Sequence, residues 1–330
     1  MNIIKKVFLL IIFLGSTCFA DILSSNTGEQ AMINSLRSAI NANAHLKSQK
    51  IVIGAGRSGC EAFKRVAQSK NTNVLLTWQW LEEIKDLPKE TIVIMPECAV
   101  DGHENKNILI TIDGVLHTRN LKNVQDENSK LIDNQTEIIV MLAGDTEDKE
   151  SHWVLYTPEM VSSLIRNLPS NKKILFLNGP RTGKYKGIHG MMIVDKMAHR
   201  TKIDDLTQFV MNNSFNEDWK IVDFKIGKES LWGAALKFCL ENPRTIMILP
   251  GESTSMISEA LGLGIRPSIY KHPAMTEASR KYVDNLVCQG KATLYPQLPQ
   301  ENATHQKAIS PQENKIINEI CKILGNKKRT

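Results

Sequence analysis

Short aliphatic runs, each closed by Gly, Pro or polar residues, recur along this chain with amphipathic stretches between them. That alternation constrains the fold more than any other feature. Lys50-Ile51-Val52-Ile53 is the first run, and Asn73 to Trp78, Thr91 to Met95 and Asn107 to Ile112 follow. Runs that are apolar at nearly every position are buried on both faces, as in a parallel sheet covered by helices. Residues 28–46 place Ile33, Leu36, Ile40 and Ala44 near a 3.6-residue period, and Cys60 to Ser69 carries Ala62, Phe63, Val66 and Ala67 on one helical face. Aromatic residues are only 6% of a chain that is 42% hydrophobic, which favours an aliphatic α/β sheet over a β-sandwich.

Asn120 to Thr136 is polar, with Leu131-Ile132 as its largest apolar cluster, and marks a domain boundary. The pattern then restarts. Strands are expected at Glu137 to Leu142, Lys173 to Leu177, Trp219 to Phe224, Thr245 to Leu249 and Pro267 to Tyr270, with helices at Pro158 to Asn167, Ile203 to Met211, Ser230 to Glu241 and Ser253 to Leu263. A Pro-rich linker (Pro296, Pro299) leads to a last amphipathic helix, Pro311 to Leu324, with the reach to pack on the first domain. The expected organisation is a leader at 1–20, Rossmann-like domains at 21–133 and 134–300, and a C-terminal helix and basic tail at 301–330.

The leader rests on Lys5 and Lys6 before the apolar run Val7 to Leu14, then small residues at Cys18 and Ala20 in the −3 and −1 positions of a cleavage site. The run is short for a membrane span. Cleavage after Ala20, export to the periplasm or exterior, and no stable span in the mature chain are expected. Lipid attachment at Cys18 is disfavoured by Gly15 three residues before it, and an uncleaved anchor is the other alternative. Loss of Lys5 and Lys6 lowers the formal charge from +6 to +4. The surplus is concentrated only at Lys327-Lys328-Arg329, so a nucleic-acid partner is not expected. Cys60, Cys98, Cys239, Cys288 and Cys321 remain, odd in number, widely spaced and without a C-x-x-C pair, so no disulfide framework or zinc site follows; Cys60, Cys239 and Cys321 fit apolar helix positions.

Three loops fall at the carboxyl ends of strands, where α/β proteins bind ligands. Gly54-Ala55-Gly56-Arg57-Ser58-Gly59 satisfies G-x-G-x-x-G in a strand-to-helix setting and would offer N–H groups to a phosphate. A dinucleotide site also needs an acid closing the second strand, but that strand ends Thr77-Trp78-Gln79-Trp80 and Glu82 comes too late. A packing turn without ligand is the competing reading. Asn178-Gly179-Pro180-Arg181-Thr182-Gly183-Lys184 is one residue short of a P-loop, and Tyr185 stands where the magnesium-binding hydroxyl belongs. Arg181, Thr182 and Lys184 still suit a phosphate or carboxylate, or form a solvated basic turn.

The third loop runs from strand Thr245 to Leu249 through Pro250-Gly251-Glu252 into Ser253-Thr254-Ser255. Its hydroxyls can cap a helix whose N–H groups would take a pyrophosphate, and Glu259, at i+4 from Ser255, would reach sugar hydroxyls. Gly264-Ile265-Arg266-Pro267 stops the helix.

Gly251 to Pro267 resembles the nucleotide-sugar loop and helix of GT-B glycosyltransferases. More narrowly, it is similar to the mitochondrial fission ELM ("elongated mitochondria") family, whose pattern is roughly D-S-x-S-M-x-x-E-A-x-x-x-G-x-P. Glu252-Ser253, Ser255-Met256, Glu259-Ala260, Gly264 and Pro267 supply it, with Glu252 in place of the usual Asp. Ile53 to Arg57 resembles the family's apolar-Gly-Arg strand end, and Gly114 to His117 fits its Val-Leu-x-Thr-x-Gly-Ala-Leu stretch. After Pro96-Glu97, Cys98-Ala99 replaces the family's His-Asp, and Arg181-Thr182 keeps part of its Ser-Arg-Arg-Thr-Pro loop.

The resemblance implies a GT-B-like fold, two Rossmann-like domains with parallel sheets facing across a cleft, and a nucleotide-sugar or phosphosugar ligand there. Gly251, Ser253, Ser255 and Glu259 would form one wall, Arg181 and Thr182 would lie near the phosphate, and Gly56 and Arg57 would sit on the facing domain. No cofactor is implied beyond that donor. No catalytic base is assignable, although Asp101, His103 and Glu97 are candidates by position. Activated sugar donors are not expected outside the cytoplasm, so the leader and the donor site pull apart. A non-enzymatic exported binding or scaffold protein that kept the architecture is the alternative, and NAD-dependent oxidoreduction through Gly54 to Gly59 is the third reading.

Overall fold

The computed structural model describes residues 27–65, 71–78, 80–100, 107–116, 121, 130–147, 153–179, 182, 205–213, 217–224, 230–299 and 312–327. The leader, Asp101, His103, Arg181 and Lys184 lie outside them. The chain divides into two compact units, residues 1–118 with 310–330, and 119–309.

Unit 1 opens with α1 (Thr27–Ala42) and a short α2 (Ala44–Lys47). One continuous helix was expected over 28–46. It breaks at Asn43, whose side chain accepts from the N–H groups of His45 and Leu46 at 3.1 and 3.0 Å and so starts a second helix. Then come β1 (Ile51–Ala55), α3 (Gly56–Arg65), β2 (Thr72–Leu76), β3 (Ile92–Pro96) and β4 (Ile108–Ile112). All pair in parallel in the order β1-β2-β3-β4.

Strand alternation sends Ile51, Ile53, Val74, Ile92 and Ile94 to one face, where they pack with Ile33, Leu36 and Ile40 of α1. The C-terminal helix, Gln312–Lys327, belongs to this layer and buries Ile316, Ile320 and Leu324 in it. Val52, Leu75, Val93 and Met95 point the other way, onto Cys60 and Phe63 of α3. Burial pushes the Cys60 thiol up to about 12, which suits a small apolar core residue.

Unit 2 contains β5 (Ile138–Met141), an antiparallel pair β6 (Thr146–Glu147) and β7 (Trp153–Val154), α4 (Pro158–Ile165), β8 (Ile174–Leu177), α5 (Asp205–Asn213) and β9 (Trp219–Val222). It continues through α6 (Trp232–Glu241), β10 (Ile246–Pro250), α7 (Thr254–Gly262), β11 (Ser268–Tyr270), α8 (Glu277–Cys288) and β12 (Thr293–Leu294). The main sheet is parallel throughout, in the order β12-β11-β10-β5-β8-β9. Ile138 of β5 pairs with Ile174 on one side and Ile246 on the other.

The chain therefore starts in the middle of this sheet, winds outward through β8 and β9, crosses back beside β5 and winds outward again through β10, β11 and β12. This is the doubly wound order, with its reversal between β5 and β10. The fold is α/β with two parallel sheets, and Ile51–Ile53 and Ile246–Leu249 lie in different sheets, each fully buried. Before the Pro-rich linker at Pro296 and Pro299, α8 and β12 occupy a stretch for which no element was expected. Thr276 caps α8, accepting from the Ser279 N–H at 3.2 Å.

Candidate functional site

In a doubly wound sheet the loops after the two strands flanking the reversal separate, one passing to each face, and leave a crevice at their carboxyl ends. Here those strands are β5 and β10. The loop after β5 is Leu142-Ala143-Gly144-Asp145, and the loop after β10 is Gly251-Glu252-Ser253, which runs into α7.

Glu252 bridges the two. Its Oε1 accepts from the Gly144 N–H at 2.9 Å, and its Oε2 lies 2.7 Å from His272 Nε2, beyond the end of β11. Both side chains are buried, 3% exposed for Glu252 and 0% for His272. Buried charge persists where it is paired and hydrogen-bonded, and here one carboxylate ties together the ends of three adjacent strands. Arg280 of α8 holds the His272 segment by donating to the carbonyls of His272 and Pro273, both at 3.0 Å.

Aromatic rings enclose the imidazole. Tyr156 meets it edge-on at 5.1 Å between centroids and Tyr270 stacks on it at 5.7 Å. Asp145 accepts from the Tyr156 N–H at 2.8 Å, and Tyr270 donates its hydroxyl to the Met160 carbonyl at 2.7 Å. His272 Nδ1 and Tyr156 Oη are buried with no hydrogen-bond partner among the described residues. Burial first, then the neighbouring Tyr270 and Glu252, pushes the Tyr156 hydroxyl well above the usual phenol range.

Above this buried floor the first turn of α7 reaches solvent: Thr254, Ser255 and Met256 are part-exposed, whereas Ser253 and Ile257 are buried. Ser253, expected to cap the helix, makes no side-chain cap bond. The Thr254 N–H instead bonds the Glu252 carbonyl at 3.1 Å. The first-turn amides and the positive end of the helix dipole are suited to an anion.

Glu259 is 4% exposed and its Oε2 accepts from Trp232 Nε1 at 3.1 Å, so it joins α6 to α7. Gly251 lies against Met275, whose Cε would be 2.4 Å from a Cβ there; its smallness serves packing. The Thr182 hydroxyl accepts from the Gly179 N–H at 3.1 Å and lies 3.4 Å from the Leu142 carbonyl, closing its own loop. Asn178, before that loop, donates to Thr207 Oγ1 and Asp223 Oδ1, both at 2.7 Å, and accepts from the Phe224 N–H, fixing the ends of β8 and β9.

In unit 1, Gly56 has φ +56° and lies under the Glu29 carboxylate, and Arg57 pairs with Glu83 at 3.6 Å. Gly59 permits close packing of α3 on β1 and β2, since a Cβ there would meet Gly54 C and Leu75 Cδ1 at 2.9 Å. Glu97 is exposed in a 3-10 turn after β3.

Sequence reading missed His272, Tyr156 and Gly144, and it noted Glu252 only as a departure from a pattern. The signal available was positional: each lies within a few residues of the carboxyl end of a central strand or in the segment that folds back over it.

No family model matches this chain, and no curated protein matches it. Among solved structures, MurG of Acinetobacter baumannii is similar over 89% of this chain and 69% of its own, at 10% identity and a TM-score of 0.36. The spinosyn rhamnosyltransferase SpnG is similar over 90% of this chain and 72% of its own, at 11% identity and a TM-score of 0.36. At these values neither likeness identifies a ligand or a reaction for this chain.

Proposed function

We propose that unit 2 binds a nucleotide-sugar or phosphosugar at the carboxyl ends of β5 and β10, and that the protein is an exported GT-B-like glycosyltransferase homologue. The observation that carries the reading is the reversal of strand order between β5 and β10, with the part-exposed first turn of α7 standing over it. The ligand's diphosphate would sit on the amides of Ser255 and Met256, with the Ser255 hydroxyl as a further donor. His272 matters because it partners Glu252, a carboxylate at the base of that turn, and fixes its position. The resemblance of Gly251 to Pro267 to the ELM pattern supports the same placement and the same ligand class. Lys5-Lys6, the apolar run after them and Ala20 support export.

Titration calorimetry with uridine, guanosine and thymidine diphosphates and their sugars tests this. Saturable heat with at least one of them is expected, and its absence at millimolar ligand would exclude the site. A binding protein without transfer is the second reading, favoured by Cys98-Ala99 in place of the family's His-Asp. Incubation of a bound donor with chromatography for released nucleoside diphosphate separates the two: turnover marks a transferase, and an intact donor marks a binding protein.

A further inference from the structure

The G-x-G-x-x-G turn of unit 1 has the sequence of a phosphate cradle, and a carboxylate lies against its second glycine. Gly56 opens the ten-residue helix α3 with φ +56°, and a Cβ added to it would lie 2.0 Å from Glu29 Oε1 and 2.8 Å from Glu29 Cδ. The glycine is thus required twice, once for a backbone conformation that side chains disfavour and once for the close approach of a carboxylate. Glu29 stands in the first turn of α1 and is 7% exposed. A carboxylate there, like a phosphate, is an anion close to the positive end of a helix dipole. The cation of the turn is engaged as well, because Arg57 Nε lies 3.6 Å from Glu83 Oε1.

We infer that Glu29 is the resident anion of this turn, a built-in competitor that closes it to phosphate-bearing ligands for as long as α1 keeps its place. A phosphate entering beside Glu29 would set like charges together in a partly desolvated site, so neutralising or removing that carboxylate converts the turn into an inorganic-anion site. The inference stands on unit 1 alone and does not depend on the ligand proposed for unit 2.

The test is a titration of the full-length protein with inorganic pyrophosphate, followed through individual backbone amide shifts so that this turn is read separately from every other. In the wild type the amides of Gly56 to Gly59 stay still at millimolar pyrophosphate. In Glu29→Gln, which keeps the shape and drops the charge, and in Glu29→Ala, which also opens the space, the same amides move and saturate, with affinity at least about tenfold above the wild type. The isosteric variant serves where the truncated one fails to fold. Movement of those amides in the wild type at equal pyrophosphate, or their immobility in the folded variants, overturns the inference.

Discussion

Glu252 and His272 illustrate how a single side chain can set the geometry of a strand-end site. Glu252 was visible in the sequence only as a Glu where a pattern expects Asp, and the longer side chain is what reaches Gly144 on one side and His272 on the other. His272→Ala would leave the buried Glu252 carboxylate with one hydrogen-bond partner fewer, a loss of about 1–3 kcal/mol. Thermal or denaturant unfolding should show that loss. Adding Glu252→Gln to His272→Ala should recover part of it, because the orphaned charge is gone; strictly additive losses would show that the two side chains act independently. Glu259 teaches the opposite lesson. Its spacing from Ser255 pointed to sugar hydroxyls, but periodicity reports which residues share a helix face and not which neighbour that face meets, and the neighbour is Trp232. Glu259→Ala should therefore lower stability by about 1–3 kcal/mol through the unsatisfied indole N–H, with affinity for nucleoside diphosphates unchanged. A melting temperature equal to that of the wild type, with affinity lost, would return Glu259 to the ligand.

Elements were most legible where burial is two-sided. The strands at 51–55, 92–96 and 246–250 announce themselves because every position is apolar, and each is buried throughout. Parallel pairing followed from the helical periods between them. The segments that escaped were those whose pattern is diluted. In α8 only Ser279, Tyr282, Val283 and Leu286 are buried, and most of its remaining positions are charged or polar, so its amphipathic stripe is narrow. The two-residue strand β12 is too short to carry a period at all. The clearer signature of α8 was Thr276 three residues before Ser279, a capping arrangement that needs no hydrophobic face. Thr276→Ala should cost about 1 kcal/mol, measurable by denaturant midpoint. Its effect should propagate to the His272 segment, which Arg280 of the same helix holds. An unchanged midpoint would mean that tertiary packing alone sets the start of α8.

On the scale of the whole chain, the two units differ in strand order. Among the described residues unit 1 runs β1-β2-β3-β4 in simple succession without a reversal of strand order, and Glu29 lies against its phosphate-like turn. Unit 2 has the reversal, and at it an open helix turn over a buried Glu–His pair. Strand order is not written in local sequence. It emerges from which crossovers pack, and so the crevice between β5 and β10 could not be located from motifs, although the loop that forms one side of it could. The central claim is that a diphosphate binds at that crevice. Backbone amide hydrogen exchange, measured with and without the nucleoside diphosphate that gives the strongest calorimetric signal, tests it most directly. Slowed exchange is expected at Gly144 and across Glu252 to Met256, with Gly56 to Gly59 unaffected. Protection confined to any other part of the chain, or none at saturating ligand, would contradict it.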